Sequence, residues 1–547
     1  MKTQAIMDMG CMGIDVIFVN KRVFDGFFLS IRCVSIVYLL SYHGQVYAFD
    51  VTIRPSVSTQ EIYSDNINLS QSGNEEGAFV TEVSPSVSVN GRSARSTLNL
   101  NYKMQNLYNA GGNDAIKTAN QLQYNSHNTF IPNRLFLDSH SSLSQQNINI
   151  SRIANDNISG SGNSTNVSTF GMSPYWTPHF GNYANGNLRL NFDTVTTDAG
   201  SSSNNSSSSS LNTISDTVNL AEIIQLNSGI EFQRVKWSLS HNNTENYRLD
   251  GNNVKFQNSD AIVRTYLNTH FNVFVRGGYS KNSFQSATNT NKNGISYTFG
   301  GQWKPSQYYS IEVGGGNNSY VTVAISPMQR LNWVTTFRKN SIGLNSGETW
   351  QTALNYKTRQ STWSLTHDND TTTVQELLLQ QQIFTVQDSF GNAIIDPVTN
   401  EAVQRAINLP TLTDEVITRK NWNFSVSYNT GKSTIGANAY NEDRVFQLSG
   451  SNQKVRGINA TWNWRFASRT SAYLRPGWQQ TDGVATSLLA ADSNNHRFDL
   501  AIGLNRSITN QLNGRLEFRH VNQVSGNNIN TNDYLENRAT ASLFMRY

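Results

Sequence analysis

Cysteine is nearly absent from this chain of 547 residues, which has only Cys11 and Cys33. Both lie within the first 48 residues, so disulfide bonds contribute nothing to the remaining sequence. Charged residues are also scarce, at 15%, and no apolar run after Ala48 is long enough for a membrane helix. Asn, Ser, Thr and Gln fill the chain instead, together with 11% aromatic residues. So many aromatic and β-branched residues exclude a disordered chain and indicate a large all-β protein.

The first 48 residues have the pattern of a signal peptide. Basic residues at positions 21, 22 and 32 precede an apolar run at 33–40, and Ala48 completes a small-residue cleavage site. A membrane anchor is the alternative, but the run is short for a bilayer. We predict that residues 1–48 are removed and that residues 49–547 form one domain.

The predicted mature chain carries almost no net charge. Removing the leader's four Lys/Arg and three Asp/Glu from totals of 42 and 38 leaves 38 against 35. This balance implies no particular partner, and we expect no nucleic-acid binding.

Alternation of apolar and polar residues recurs along most of the chain. One example is Ile458, Ala460, Trp462 and Trp464, whose intervening residues are polar. Such period-two patterns predict strands with one apolar and one polar face. The runs are about nine to twelve residues long, which is the length a tilted strand needs to cross a bilayer.

Short and long connections alternate between these predicted strands. Tight turns, for example at 429–432 and 467–470, are followed by long polar loops such as 195–217, 243–254 and 370–415. This rhythm predicts a single antiparallel transmembrane β-barrel with short periplasmic turns and long extracellular loops. Counting strands, with an extra short hairpin around 308–338, gives about 24 (range about 20 to 28). A secreted β-helix or a large sandwich would explain the alternation but not the rhythm.

The chain ends on an alternating stretch, "ATASLFMRY", with no polar tail. We predict that this last strand pairs with the first and closes the barrel. Leu543, Met545 and Tyr547 form its apolar face, and they are similar to the carboxy-terminal signal that the barrel-assembly machinery recognises. The expected surroundings are a lipid bilayer with lipopolysaccharide, in the outer membrane of a bacterium.

The polar faces of the predicted strands carry more basic than acidic residues. If the apolar faces contact lipid, these polar faces line the lumen, and rings of Arg and Lys favour anions in a pore. The alternative is that the charges only pair across strands. The predicted lumen-lining basic residues are Lys103, Arg189, Lys236, Arg465, Arg475, Arg497, Arg515, Arg519, Arg538 and Arg546.

A search for catalytic and metal sites finds little. The chain has no Gly-x-Ser-x-Gly elbow and no His-Glu-x-x-His helix. The stretch His367–Asp370 resembles a small cation-binding cluster at a loop root, although a solvated strand end is the favoured interpretation. We predict no catalytic residues, no metal and no cofactor, and we expect that the protein is not an enzyme.

The longest loop, 370–415, contains the apolar residues Leu377–Leu379, Ile383 and Phe384. Apolar residues in an aqueous loop need a place to bury. We predict either that this loop folds into the barrel mouth as a constriction or lid, or that it forms a small external hairpin.

Four segments of the sequence make this chain similar to a known family. They are Glu61–Leu69, Ala78–Val89, Asn101–Tyr108 and Leu135–Asp138. Together they resemble the outer-membrane β-barrel family associated with the PEP-CTERM/exosortase system of Gram-negative bacteria, most strongly between Phe49 and Ile150. The resemblance implies an outer-membrane location and a link to exopolysaccharide biosynthesis, but no activity.

The sequence therefore predicts a porin-like outer-membrane channel that passes an anionic solute or an exopolysaccharide. The main alternative is a plugged or structural surface barrel whose long loops bind matrix or partners. An outer-membrane hydrolase is a minor alternative.

Overall fold

The computed structural model describes residues 49–110, 116–148, 156–160, 164–198, 214–287, 292–380, 384–385, 404–405, 412–484, 493–525 and 533–547. The predicted signal peptide, residues 1–48, lies outside the described residues. The described chain forms a closed antiparallel β-barrel of 24 long strands, which confirms the predicted fold class and strand number.

Each strand pairs with the strand before it in the chain, and the last pairs with the first. The strands are β1 (Asp50–Ser64), β2 (Ala78–Arg92), β3 (Ser96–Asn109), β4 (Ile116–Ile131), β5 (Leu135–Asn147), β6 (Ser164–Trp176), β7 (Ala184–Thr197), β8 (Thr217–Ser228), β9 (Val235–Arg248), β10 (Val254–Tyr266), β11 (Phe271–Ser283), β12 (Gly294–Ser306), β13 (Tyr309–Gly316), β14 (Asn318–Met328), β15 (Leu331–Asn340), β16 (Gly347–Lys357), β17 (Ser361–Thr373), β18 (Val416–Asn429), β19 (Ser433–Phe446), β20 (Asn452–Ala467), β21 (Thr470–Val484), β22 (Ser493–Ser507), β23 (Leu512–Ser525) and β24 (Tyr534–Arg546).

Four shorter elements accompany the barrel in the described ranges. The segment His179–Phe180 pairs with the start of β7, and Phe384–Thr385 forms a two-residue ladder with Gln404–Arg405. One helix, α1 (Val374–Gln380), follows β17. No helix in the described ranges is both long and apolar enough to cross a membrane.

The terminal strand closes the barrel as its alternation predicts. The pairing of β1 with β24 runs from Ser56 opposite Arg546 to Ser64 opposite Arg538. At the very end, the backbone N–H of Tyr547 donates to the carbonyl oxygen of Pro55 at 3.0 Å. The terminal residues therefore satisfy their backbone groups within the sheet and leave no free edge.

The two ends of the barrel differ in their connections. At the short-turn end, which holds both ends of the sheet, every connection has between two and seven residues. At the long-loop end, the connections range from one residue, Asn317, to 42 residues (374–415). At this one-residue connection, a Cβ atom at Gly316 would lie 2.1 Å from the carbonyl oxygen of Tyr297, and the Asn317 side-chain oxygen accepts the N–H of Tyr297 at 2.7 Å.

The predicted loop 243–254 is too long, because β9 continues to Arg248 and leaves only 249–253 between the strands. Asn243, Glu245 and Tyr247 lie on the outward face of the strand, opposite the face on which Thr244 lines a lumenal cavity. Since this stretch is polar on both faces, its composition resembles that of a loop.

The outside of the barrel is covered by apolar side chains that remain exposed to solvent. Leu190, Val263, Phe299 and Leu516 are between 49% and 60% exposed, and each alternates along its strand with a residue that faces the lumen. An exposed apolar belt around a closed barrel is the surface that contacts lipid in a transmembrane protein.

Candidate functional site: the lumen

Seven of the ten predicted basic residues line one of two cavities, and three line neither. One cavity of about 860 Å³ is lined by Lys103, Arg475, Arg515, Arg519, Arg538 and Arg546. A second cavity of about 810 Å³ is lined by Arg189. Arg497 is buried on β22, while Lys236 and Arg465 are exposed near the short-turn ends of β9 and β20 and line neither cavity. A role of the ten basic residues in passing a solute stays a prediction.

Most of these residues form one continuous surface, which we call the basic wall. It covers β21 to β24 and continues across the closure onto β1. Arg54 on β1 also belongs to the basic wall, but the sequence prediction did not include it. The alternation of Ile53 and Val57 with polar neighbours could have identified Arg54 as lumen-facing. The basic wall consists of Arg54, Arg475, Arg497, Arg515, Arg519, Arg538 and Arg546.

An inward-folded loop residue, Asp156, connects two arginines of the basic wall. Its carboxylate accepts hydrogen bonds from Arg538 at 3.1 and 2.5 Å and from Arg519 at 3.4 Å. Arg519 also lies 3.3 Å from Asp499. Burial alone would raise the pKa of Asp156, but the two guanidinium groups outweigh it and hold that pKa well below its ordinary value.

Tyr473 organises a second part of the basic wall. Its ring lies 4.3 Å from the Arg475 guanidinium and 4.8 Å from that of Arg515, and its hydroxyl donates to Glu517. The ring crosses Gly503 on the intervening strand, where a Cβ atom would lie 2.1 Å from it. Only glycine therefore lets Tyr473 reach from β21 to β23.

Positive charge exceeds negative charge in the cavity of the basic wall. Seven Lys/Arg side chains and four carboxylates line it, a formal difference of +3. Lys103 pairs with Glu82 at 3.2 Å, so part of the charge is neutralised as the alternative interpretation expects. Within the described ranges, however, Arg54 and Arg546 make no salt bridge.

A different set of side chains, which we call the histidine wall, lines the other cavity. It consists of His127 on β4, Asp138 and His140 on β5, and Arg189 and Asp193 on β7. Asp138 lies 2.7 Å from His127 Nδ1 and 3.0 Å from Arg189.

His140 and Asp193 approach to 3.4 Å across Gly171 of β6. A Cβ atom at Gly171 would lie only 2.1 Å from the Asp193 carboxylate and 2.2 Å from the His140 ring. With Glu376 of α1, this cavity has three carboxylates against one arginine when both histidines are neutral. Its formal charge is therefore opposite to that of the basic wall.

Helix α1 lies inside the barrel mouth. Val374 and Leu378 are buried in an apolar cluster with the lumen-facing residues Val167, Val195 and Ile417. Leu378 lines the cavity of the basic wall, while Glu376 and Leu379 line that of the histidine wall. The helix therefore separates the two cavities, as the inward-folding prediction expects. The external alternative does not hold for this part of the loop, and Ile383 lies outside the described residues.

His367–Asp370 does not form a cation cluster at a loop root. The four residues are part of β17, so their side chains alternate between the two faces of the sheet. The His367 ring stacks on Trp422 at 4.2 Å, whereas Asp370 accepts hydrogen bonds from Arg419. Among the described residues, no group of three or more His, Cys, Asp or Glu side chains could hold a metal ion.

Two residues of the predicted assembly signal, Leu543 and Met545, lie on the outward face of β24, and Tyr547 directly follows the strand. Leu543 is 45% exposed and Tyr547 is 65% exposed, and Met545 between them is half-buried. Recognition of this face by the assembly machinery stays a prediction.

Comparisons with known proteins give structural similarities only. No protein-family model matches the chain, and no curated protein matches its sequence. The FrpB iron transporter from Neisseria meningitidis (F5-1 variant) aligns with a TM-score of 0.44 at 11% identity, covering 90% of this chain and 82% of that one. The siderophore receptor PirA from Acinetobacter baumannii aligns with a TM-score of 0.44 at 9% identity, covering 91% and 81%. At such identities a ligand cannot be carried from one barrel to another.

Proposed function

We propose that this barrel is an outer-membrane channel that passes anionic solutes. The basic wall carries the proposal, because the cavity that it lines has seven Lys/Arg side chains against four carboxylates, and rings of basic residues favour anions in a pore. Transport would be passive and would need neither a cofactor nor a catalytic group. An acidic exopolysaccharide is the solute suggested by the resemblance to the PEP-CTERM-associated barrels, and it is part of the same proposal.

Ion selectivity in planar bilayers tests the proposal. We expect the purified barrel to prefer anions in a salt gradient, most clearly at low ionic strength, where charges on the wall are least screened. Replacing both Arg54 and Arg546 with Gln should reduce the preference. Lys339→Gln is the matched control, because Lys339 is 70% exposed and pairs with Glu348 on the outer surface.

Two results would contradict the channel. One is a preference for cations in the wild-type protein, and the other is the absence of conductance from a barrel whose folding has been verified. The second result would favour a plugged barrel whose loops form the working surface. The position of α1 across the mouth supports that alternative, since the helix already occupies part of the lumen.

A further inference from the structure

The apolar belt is interrupted on the outer surface of β8. From the short-turn end, the outward side chains of this strand are Leu226, Ile224, Glu222, Leu220 and Val218. The inward side chains, which include Asn219, Ala221 and Ile223, line the lumenal cavity of the histidine wall. Glu222 therefore projects from the outside of the barrel at the midpoint of its strand, with two apolar residues on either side.

Polar residues of the two following strands lie on one side of Glu222 only. Its cross-strand neighbours are the exposed Leu190 on β7 and Asn243 on β9. Next to Asn243 on the outward face is His241, whose Nδ1 lies 2.7 Å from the Ser259 hydroxyl on β10. Nearer to the long-loop end of the same two strands, Glu245 forms an ion pair with Lys255. In the part of the chain that the structure describes, Glu222 makes no salt bridge.

We call Glu222, His241, Asn243, Glu245, Lys255 and Ser259 the outer polar patch. A distant part of the same exterior shows what a lipid-facing surface requires. On β22 the outward residues are Phe498, Leu500, Ile502 and Leu504, without a polar residue between them. Hydrocarbon has no groups that could hydrogen-bond a carboxylate or an imidazole. The outer polar patch is therefore poorly suited to lipid at a depth where its neighbours are apolar.

We propose that the outer polar patch is an interface between two copies of this chain in the membrane. The patch contains both acceptors (Glu222, Glu245) and donors (His241, Asn243, Lys255), so it is complementary to itself. A two-fold axis through it would bring Glu222 of one copy to His241 or Asn243 of the other. The exposed apolar residues Leu190, Leu239 and Val263 would pack around this polar centre.

Cysteine cross-linking in the membrane tests the interface. In a Cys11→Ser/Cys33→Ser background, Asn243→Cys would supply the only thiol. A bismaleimide should then link two chains into a dimer in native membranes. Leu516→Cys is the matched control, because Leu516 is also on the outer surface, 60% exposed, but lies on β23 away from the patch. A dimer formed equally by both variants would overturn the proposal, as would a product of Asn243→Cys containing a different protein.

A second variant tests whether Glu222 faces a second copy of the chain or faces lipid. Glu222→Leu makes the exterior more apolar, so it should stabilise the barrel and leave the cross-linking of Asn243→Cys unchanged if Glu222 faces lipid. That outcome would also overturn the proposal. If Glu222 faces a second copy, the same substitution should cause loss of the Asn243→Cys dimer while the barrel still folds, as shown by heat-modifiable migration on gels. Neither result depends on whether the barrel conducts ions.

Discussion

The basic wall and the histidine wall are made in the same way but have opposite electrostatic character. In each, one lumen-facing glycine lets a side chain cross a strand, with Tyr473 over Gly503 and His140 beside Asp193 at Gly171. In the basic wall, more guanidinium groups than carboxylates remain. In the histidine wall, carboxylates outnumber arginines. Alternation therefore determines which residues face the lumen, while their identity determines what each side of the lumen attracts.

Substitution of Gly503 or Gly171 should have the largest effect on the two walls. Gly503→Ala and Gly171→Ala should each lower the free energy of unfolding by about 1–3 kcal/mol, because the new methyl group overlaps a packed side chain. Gly503→Ala should also change ion selectivity, since displaced Tyr473 no longer holds Arg515 and Glu517. Gly171→Ala should not. Urea unfolding in detergent, followed by tryptophan fluorescence, measures the stability.

Gly277→Ala is the control for both glycine variants, because no atom lies within 4 Å of a Cβ atom at Gly277. It should leave stability and selectivity unchanged. Equal losses in all three variants would mean that glycine is needed for strand flexibility rather than for the packing of the two walls.

Asp156 and Asp138 test how strongly each wall depends on its carboxylate. Asp156→Asn should cost about 2 kcal/mol, because it leaves the buried Arg538 without its charged acceptor. It should also increase anion preference. Asp138→Asn should cost less than about 1 kcal/mol, because its partners His127 and Arg189 are both partly exposed. Equal losses in the free energy of unfolding for the two substitutions would contradict this expected difference between the walls.

The lowered pKa of Asp156 adds a pH dependence with a definite sign. A carboxyl group whose pKa is depressed by folding stabilises the fold above its ordinary pKa, and this contribution is lost as the pH falls through the lowered value. The stabilisation by Asp156 should therefore be complete above about pH 4, the ordinary carboxyl pKa, and the ion pairs with the two arginines should persist below that pH. A selectivity change already near neutral pH would show that another group controls this region.

The sequence was sufficient to predict the barrel, its closing strand and the lumen-facing side of most basic residues, because a period of two assigns every second side chain to one face. Helix α1 could be predicted only as an inward-folding loop, since a seven-residue helix stabilised by distant strands has no periodic signal. The contact of Asp156 with Arg538 could not be predicted either. These residues are 382 positions apart, and the loop composition around Asp156 does not specify where the loop docks. Asn243 and Glu245 of the outer polar patch were assigned to a loop for the related reason that hydropathy alone cannot separate a polar strand end from a solvated turn.

The smallest expected effect concerns Glu376, the acidic residue of α1 that lines the cavity of the histidine wall. Burial raises the pKa of this carboxyl, although Thr372 and Thr373 donate hydrogen bonds that partly offset the rise. Because the pKa of Glu376 is raised in the folded state, its protonated carboxyl contributes fully to stability below the ordinary pKa. This contribution is lost as the pH rises through the raised pKa. Helix α1 should therefore hold its place in the mouth less firmly at higher pH, and conductance should rise modestly with pH. Glu376→Gln should remove that rise, because an amide stays uncharged. Equal pH dependence of the two proteins in planar bilayers would show that the carboxylate of Glu376 does not control the helix.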